Sequence, residues 1–184
     1  MKVYFITSNK GKVLEAKKKF SEIGIELVQK NIGYPEIQAE CLEDVAKYGV
    51  ENIQSRVDHS FILEDAGIFI DSLNGFPGVY SAYVFYSIGC KGILKLLGEK
   101  NNRKACFKSV FAYCMPNEKP KIFSGECNGR ISMGELGSNG FGYDPIFIPE
   151  GSKKTFAQMK TVEKNNFSHR GKSLEKLLNF FKNK

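Results

Sequence analysis

The stretch VYFITSNKGKVLEAKKKFSEI, residues 3–23, decides the fold class. Val3-Tyr4-Phe5-Ile6 is a short apolar run of the kind that makes a buried strand. Val13, Ala16, Phe20 and Ile23 then recur at helical spacing and put one apolar face on a helix. Between them Thr7-Ser8-Asn9-Lys10-Gly11-Lys12 is a polar strand-to-helix loop. Outward from there, Leu42, Val45, Ala46, Gly49, Ile53 and Val57 predict a second helix, and Phe61-Ile62-Leu63 a strand. The opening therefore reads strand, helix, helix, strand. Ile93, Leu94, Leu96 and Leu97 predict a short helix stopped at Gly98, where a left-handed cap residue is favoured. Residues 104–114 and 121–127 are rich in β-branched and aromatic side chains and are separated by the turn signal Pro116-Asn117-Glu118. They predict antiparallel strands. Asn128-Gly129 predicts a tight hairpin into Arg130-Ile131-Ser132. Leu174, Leu177, Leu178 and Phe181 define an amphipathic C-terminal helix. The sum is a mixed α/β fold, and no Pro- or Gly-rich linker divides it, so residues 1–184 read as one domain.

Composition narrows the function classes. A chain of 184 residues, 42% hydrophobic and 26% charged, lies in the ordinary globular range. Its apolar runs are too short to cross a bilayer, and the N-terminus lacks the pattern of a secretory signal, so a soluble, cytoplasmic protein is expected. The five cysteines are scattered without metal-ligand spacing and read as small buried apolar residues rather than a disulfide framework. The net charge of +7 suits a polyanionic partner, either nucleic acid or a phosphorylated small molecule. Much of that excess sits in Lys17-Lys18-Lys19 and the tail from Lys172, where solvated helix faces account for it.

Four segments can carry chemistry. The loop Thr7 to Lys12 joins a strand end to a helix start, where outward N–H groups, the helix dipole and a lysine suit phosphate; an ordinary loop capped by Ser8 or Asn9 fits the same residues. Glu64-Asp65-Ala66-Gly67 sets two acids inside an apolar stretch. A buried carboxylate needs a cation, a metal or exposure, and magnesium takes a few carboxylate oxygens together with waters and phosphates, with Glu36 a possible distant helper. A solvated turn at the sheet edge is the competing reading. Ser168-His169-Arg170, after Lys164, gathers cationic donors that suit phosphate or a base edge, or else a capped helix start. In Phe141-Gly142-Tyr143-Asp144 aromatic rings beside glycine offer a stacking surface and Asp144 an acceptor, with plain core packing as the other explanation.

In this order, these segments resemble the inosine triphosphate pyrophosphatase family, the non-standard purine nucleoside triphosphate pyrophosphatases, over nearly the whole chain. The matching residues are Thr7-Ser8-Asn9 through Lys12 and Glu15; Glu64-Asp65-Ala66-Gly67 with Asn74-Gly75-Phe76-Pro77-Gly78-Val79-Tyr80-Ser81; Phe141 to Pro145; and Glu163-Lys164 with Ser168-His169-Arg170. The resemblance implies an elongated α/β fold, with a long mixed twisted sheet, flanking helices and two lobes around a substrate cleft, assembled as a homodimer. It implies Mg2+-dependent hydrolysis of ITP, dITP and XTP to the monophosphate and pyrophosphate. By position, Thr7, Ser8, Asn9, Lys10, Gly11 and Lys12 would hold the triphosphate; Glu36 and Asp65 the metal, with Asp65 as proton acceptor; and Ala66, Phe141, Gly142, Tyr143, Asp144, Lys164, His169 and Arg170 the rest of the nucleotide. Two positions depart from the pattern: Ala66 stands where serine or threonine is frequent, and Tyr83 where a basic residue is frequent.

Two competing readings make different demands. A basic nucleic-acid-binding module explains the charge but gains nothing from Glu64-Asp65, so no stable nucleic-acid partner is expected. A pyrophosphatase for modified pyrimidines would share the chemistry and differ in its base pocket.

Overall fold

The computed structural model describes residues 1–35 and 37–183. Strand β1 (Lys2–Ile6) carries four consecutive buried residues, the pattern of a strand covered on both faces. It pairs in parallel with β2 (Glu26–Lys30) and with β3 (Phe61–Ile70). Helix α1 (Lys10–Ser21) follows β1, and α2 (Leu42–Gln54) precedes β3 with Leu42, Val45, Ala46, Gly49, Val50 and Ile53 buried along one face. Two-residue β4 (Pro77–Gly78) pairs antiparallel with β3 and leads into α3 (Ser81–Leu97). Strands β5 (Lys104–Cys114) and β6 (Lys121–Ile131) are neighbours, and β7 (Phe147–Pro149) runs antiparallel to β6. Short α4 (Thr161–Phe167) and α5 (His169–Lys182) close the chain. The seven-stranded mixed sheet has the order β2-β1-β3-β5-β6-β7, with β4 on β3. Among the described residues no helix is long and apolar enough to cross a membrane.

The chain divides into two compact units. The first comprises Met1–Asp65, Ser109–Ser124 and Ser173–Lys184. Its core is built on Val3, Phe5, Ala16, Phe20, Ile62 and Phe111, with Leu174 and Leu177 from α5. The second comprises Ala66–Lys108 and Gly125–Lys172, around Ile68, Ile93, Phe107, Ile146, Phe147 and Phe156.

The α/β class, both early helices, the turn near Asn117 and the C-terminal helix follow the sequence reading, and four details do not. Strand β2 intervenes between the first two helices; it lies at the sheet edge, and only Leu27 of its five residues is buried, so it has no apolar run to read. Helix α3 begins at Ser81, well before Ile93, and breaks its regular geometry at Gly89 (φ 61°, ψ −166°). That irregularity splits the apolar period. Asn128-Gly129 makes no hairpin, because β6 runs through it to Ile131. Gly129 pairs with Pro149, and a Cβ there would lie 2.3 Å from the Ile148 carbonyl oxygen, so glycine is required by close strand approach rather than by a turn. Finally, Cys90, Cys114 and Cys127 are buried, but Cys41 and Cys106 are only half-buried.

Candidate functional site

In the first unit the chain leaves β1 at Thr7 and enters α1 through Asn9. Asn9 sits in an extended conformation, and its Oδ1 accepts the N–H groups of Gly11 (2.9 Å) and Lys12 (3.2 Å). The Asn9 N–H in turn donates to Thr7 Oγ1 at 3.1 Å. Of the two readings of this loop, the Asn9 cap is the one present, and the asparagine takes two of the amides at the start of α1. For an anion the loop retains the positive end of the helix dipole and the side chains of Thr7, Ser8, Lys10 and Lys12. Ser8 and Lys10 are exposed, while Thr7, Gly11 and Lys12 are half-buried.

Glu64 and Asp65 lie in mid-strand, not at a strand end, since β3 continues to Ile70. Adjacent residues of a strand project to opposite faces, so the two carboxylates face different surroundings. Glu64 is buried, and its Oε2 lies 2.7 Å from Lys12 Nζ, which also donates to the Glu64 carbonyl oxygen at 2.7 Å. Ser109 Oγ, from β5, donates to Glu64 Oε1 at 2.7 Å. Asp65 is half-exposed. The pair thus meets the requirement on buried acids in two ways, a cation for Glu64 and exposure for Asp65.

Asp65 is the kind of hard, accessible oxygen ligand that magnesium takes, and magnesium needs only one or two such carboxylates when phosphates and waters complete its shell. Asp65 is the described residue whose chemistry suits the ion. Among the described residues no group of three or more His, Cys, Asp or Glu side chains converges. Glu36 lies outside the described residues.

In the second unit a tight turn brings Asp144 back to Phe141, whose N–H donates to Asp144 Oδ2 at 2.9 Å. The same oxygen lies 2.7 Å from Lys164 Nζ of α4, and both side chains are only 4% exposed. Lys164 Nζ is also 4.9 Å from the centre of the Phe141 ring, and the Arg170 guanidinium is 5.2 Å from it, within cation–π range. Ser168 caps α5 by accepting the Gly171 N–H at 2.9 Å, which sets His169 and Arg170 at the first turn of that helix. The His169 ring lies parallel to Phe107 with centroids 4.5 Å apart and 7° between planes. Three basic side chains, Lys164, His169 and Arg170, are thereby buried around aromatic rings.

Some of the expected contact residues also have a structural part. Tyr143 is buried, its hydroxyl donates to the Ser81 carbonyl at 3.1 Å, and its ring meets Phe85 edge-on at 5.3 Å, so it braces the turn against α3. Burial drives its phenol well above the ordinary range. Gly142 has φ +62°, and a Cβ there would meet nothing within 4 Å, so its role is the backbone turn. Ala66 is half-exposed beside Asp65, and Tyr83 is exposed on α3. Sequence reasoning missed Phe107, Phe156, Ser109 and Ser173. The one available signal was a lone serine between Phe107-Lys108 and the apolar run from Val110.

Comparison with known proteins follows the same lines. A model of the Ham1 family matches residues 3–180. The chain is 53% identical over 182 residues to the dITP/XTP pyrophosphatase of Thermococcus kodakarensis, covering 99% of this chain and 98% of that protein. It is also 53% identical to the protein of the same name from Pyrococcus horikoshii, covering 99% of this chain and 97% of the other. Among solved structures the Staphylococcus aureus Ham1 protein superposes with a TM-score of 0.86 at 28% identity, covering 100% of this chain and 99% of that one.

Proposed function

Because the chain belongs to the Ham1 family, we propose that it hydrolyses dITP, ITP and XTP to the nucleoside monophosphate and pyrophosphate, in the cytoplasm and as a homodimer. The observation that carries this reading is the buried set Lys164, His169 and Arg170 around the half-exposed Phe141. Ammonium, guanidinium and imidazole N–H groups are donors, and a purine with a 6-oxo group presents a matching acceptor. Adenine presents an amino group at that position, so a donor would face donors, a mismatch worth about 1–3 kcal/mol. Guanine shares the 6-oxo group, so this contact does not discriminate against it.

Lys12 supplies an ammonium donor to a triphosphate oxygen, and Thr7, Ser8 and Lys10 line the same helix start. Asp65 takes a proton from the attacking water, whose oxygen bonds to the α-phosphorus as the bond from that phosphorus to the bridging oxygen breaks. The pyrophosphate leaves with the bonding pair. Magnesium, held by Asp65 and Glu36, would neutralise charge developing on the phosphates. Every other requirement is orientation: the Asn9 cap fixes the loop, Glu64 fixes Lys12, and Asp144 fixes Lys164.

Turnover in 18O-labelled water tests the bond that breaks. Label in the monophosphate agrees with attack at the α-phosphorus, whereas label only in released phosphate or pyrophosphate rejects it. Light scattering of the purified protein tests the dimer, and a monomer mass would reject it.

A further inference from the structure

We propose that Ser109 and Ser173 are positioning residues for Lys12, acting through Glu64; this rests on the reading of Lys12 as a triphosphate ligand. Lys12 Nζ donates to the Glu64 backbone carbonyl and forms an ion pair with its Oε2, both at 2.7 Å, so Glu64 fixes where the ammonium stands. An ammonium carries three N–H donors, which leaves capacity for a phosphate oxygen. Its position is therefore set by where the Glu64 carboxylate stands.

That carboxylate is held in turn from below. Ser109 Oγ lies 2.7 Å from Glu64 Oε1 and 3.0 Å from Ser173 Oγ of α5. Ser109 has a single hydroxyl proton, and an ionised carboxylate paired with a lysine can only accept, so Ser109 donates to Glu64 and Ser173 donates to Ser109. The order is Ser173 to Ser109 to Glu64, with Lys12 on the far carboxylate oxygen. All four groups belong to the first unit, and both serines are fully buried. A charge-assisted bond at such a site is stronger than a neutral one, and successive hydroxyls polarise one another. A valine or alanine at position 109 would suit the surrounding apolar strand as well for packing alone. The hydroxyl serves the carboxylate.

The test compares Ser109→Ala and Ser173→Ala with the wild type, alone and combined with Lys12→Met, with thermal unfolding as the control for folding. Two readouts are used: kcat and KM for dITP, and calorimetric binding of inorganic tripolyphosphate. Ser109→Ala should lower kcat/KM and weaken tripolyphosphate binding roughly tenfold, with Ser173→Ala losing less because its bond is neutral. The preference for dITP over dATP should stay unchanged. In the Lys12→Met background Ser109→Ala should have no further effect, since the residue through which it acts is gone. Wild-type binding and turnover in Ser109→Ala, or an equal loss with and without Lys12, would overturn the proposal. If the wild type turns over no nucleotide, the functional reading fails, while the tripolyphosphate cycle still decides whether the serines position Lys12.

Discussion

Replacing Lys164 with methionine should be the most informative single disturbance of the second unit. The substitution keeps a flexible apolar stem of similar reach and removes the ammonium. Asp144 then stays 4% exposed with its 2.7 Å cation gone, while the Phe141 N–H at 2.9 Å remains. Breaking a buried ion pair on one side typically costs about 3–5 kcal/mol because a desolvated charge is left behind. With the Phe141 N–H still donating to the carboxylate, the lower end, about 3 kcal/mol, is expected. For a chain of this size that is a fall in Tm of roughly 6–12 °C. The double variant Asp144→Asn/Lys164→Met removes both charges and keeps an acceptor for the Phe141 N–H, so it should recover more than half of the loss. Thermal unfolding followed by circular dichroism, with urea titrations on the same samples, measures both. A loss under about 1 kcal/mol in Lys164→Met, or a double variant no more stable than the single, would refute the argument that this pair is held by mutual neutralisation.

Further expectations concern the reacting groups and the buried thiols. Asp65→Asn should lower kcat on dITP by about 10²–10⁴-fold with little change in Tm, because the side chain is half-exposed and its loss opens no cavity; the assay is steady-state turnover beside thermal unfolding. Removing divalent metal with EDTA should abolish turnover and added magnesium restore it; full activity in EDTA would exclude the metal. Burial pushes the Cys90 thiol from 9.0 up to about 12 and the Cys127 thiol up to about 11. The unfolded chain therefore loses these protons first as pH rises, so stability is intact below pH 9 and declines from there toward pH 12. Urea midpoints across that range check the sign, and a midpoint that rises above pH 9 would contradict it.

The parts of the fold that could be read from sequence are those where one period holds without interruption. Val3 to Ile6 and Leu42 to Ile53 of α2 are buried where their spacing puts them, and in α1 the spacing finds Ala16 and Phe20, while Val13 and Ile23 are only half-buried. Elsewhere long-range packing overrides the local signal. Glu64-Asp65 looks like an interruption of a strand, yet β3 passes through it because Lys12, distant in sequence, pairs with one acid and the other reaches the surface. Gly129 resembles a turn glycine but answers to the backbone of β7. The candidate site shows the same division. Lys164, His169 and Arg170 were recognisable as a group within seven residues of chain, whereas their aromatic partner Phe107 lies on another element. Ser109 is separated from Glu64 by 45 residues and from Ser173 by 64, so no local pattern in the sequence joins them.

The measurement that bears most directly on the central claim is pyrophosphate release from dITP, XTP, dATP and dGTP under one set of conditions with magnesium, expressed as kcat/KM. Hydrolysis by this chain as a non-standard purine triphosphate pyrophosphatase predicts equimolar monophosphate and pyrophosphate from dITP and XTP, with dATP at least about tenfold poorer, as expected for a donor set facing an amino group. Equal rates on dITP and dATP, or release of orthophosphate instead of pyrophosphate, would contradict it.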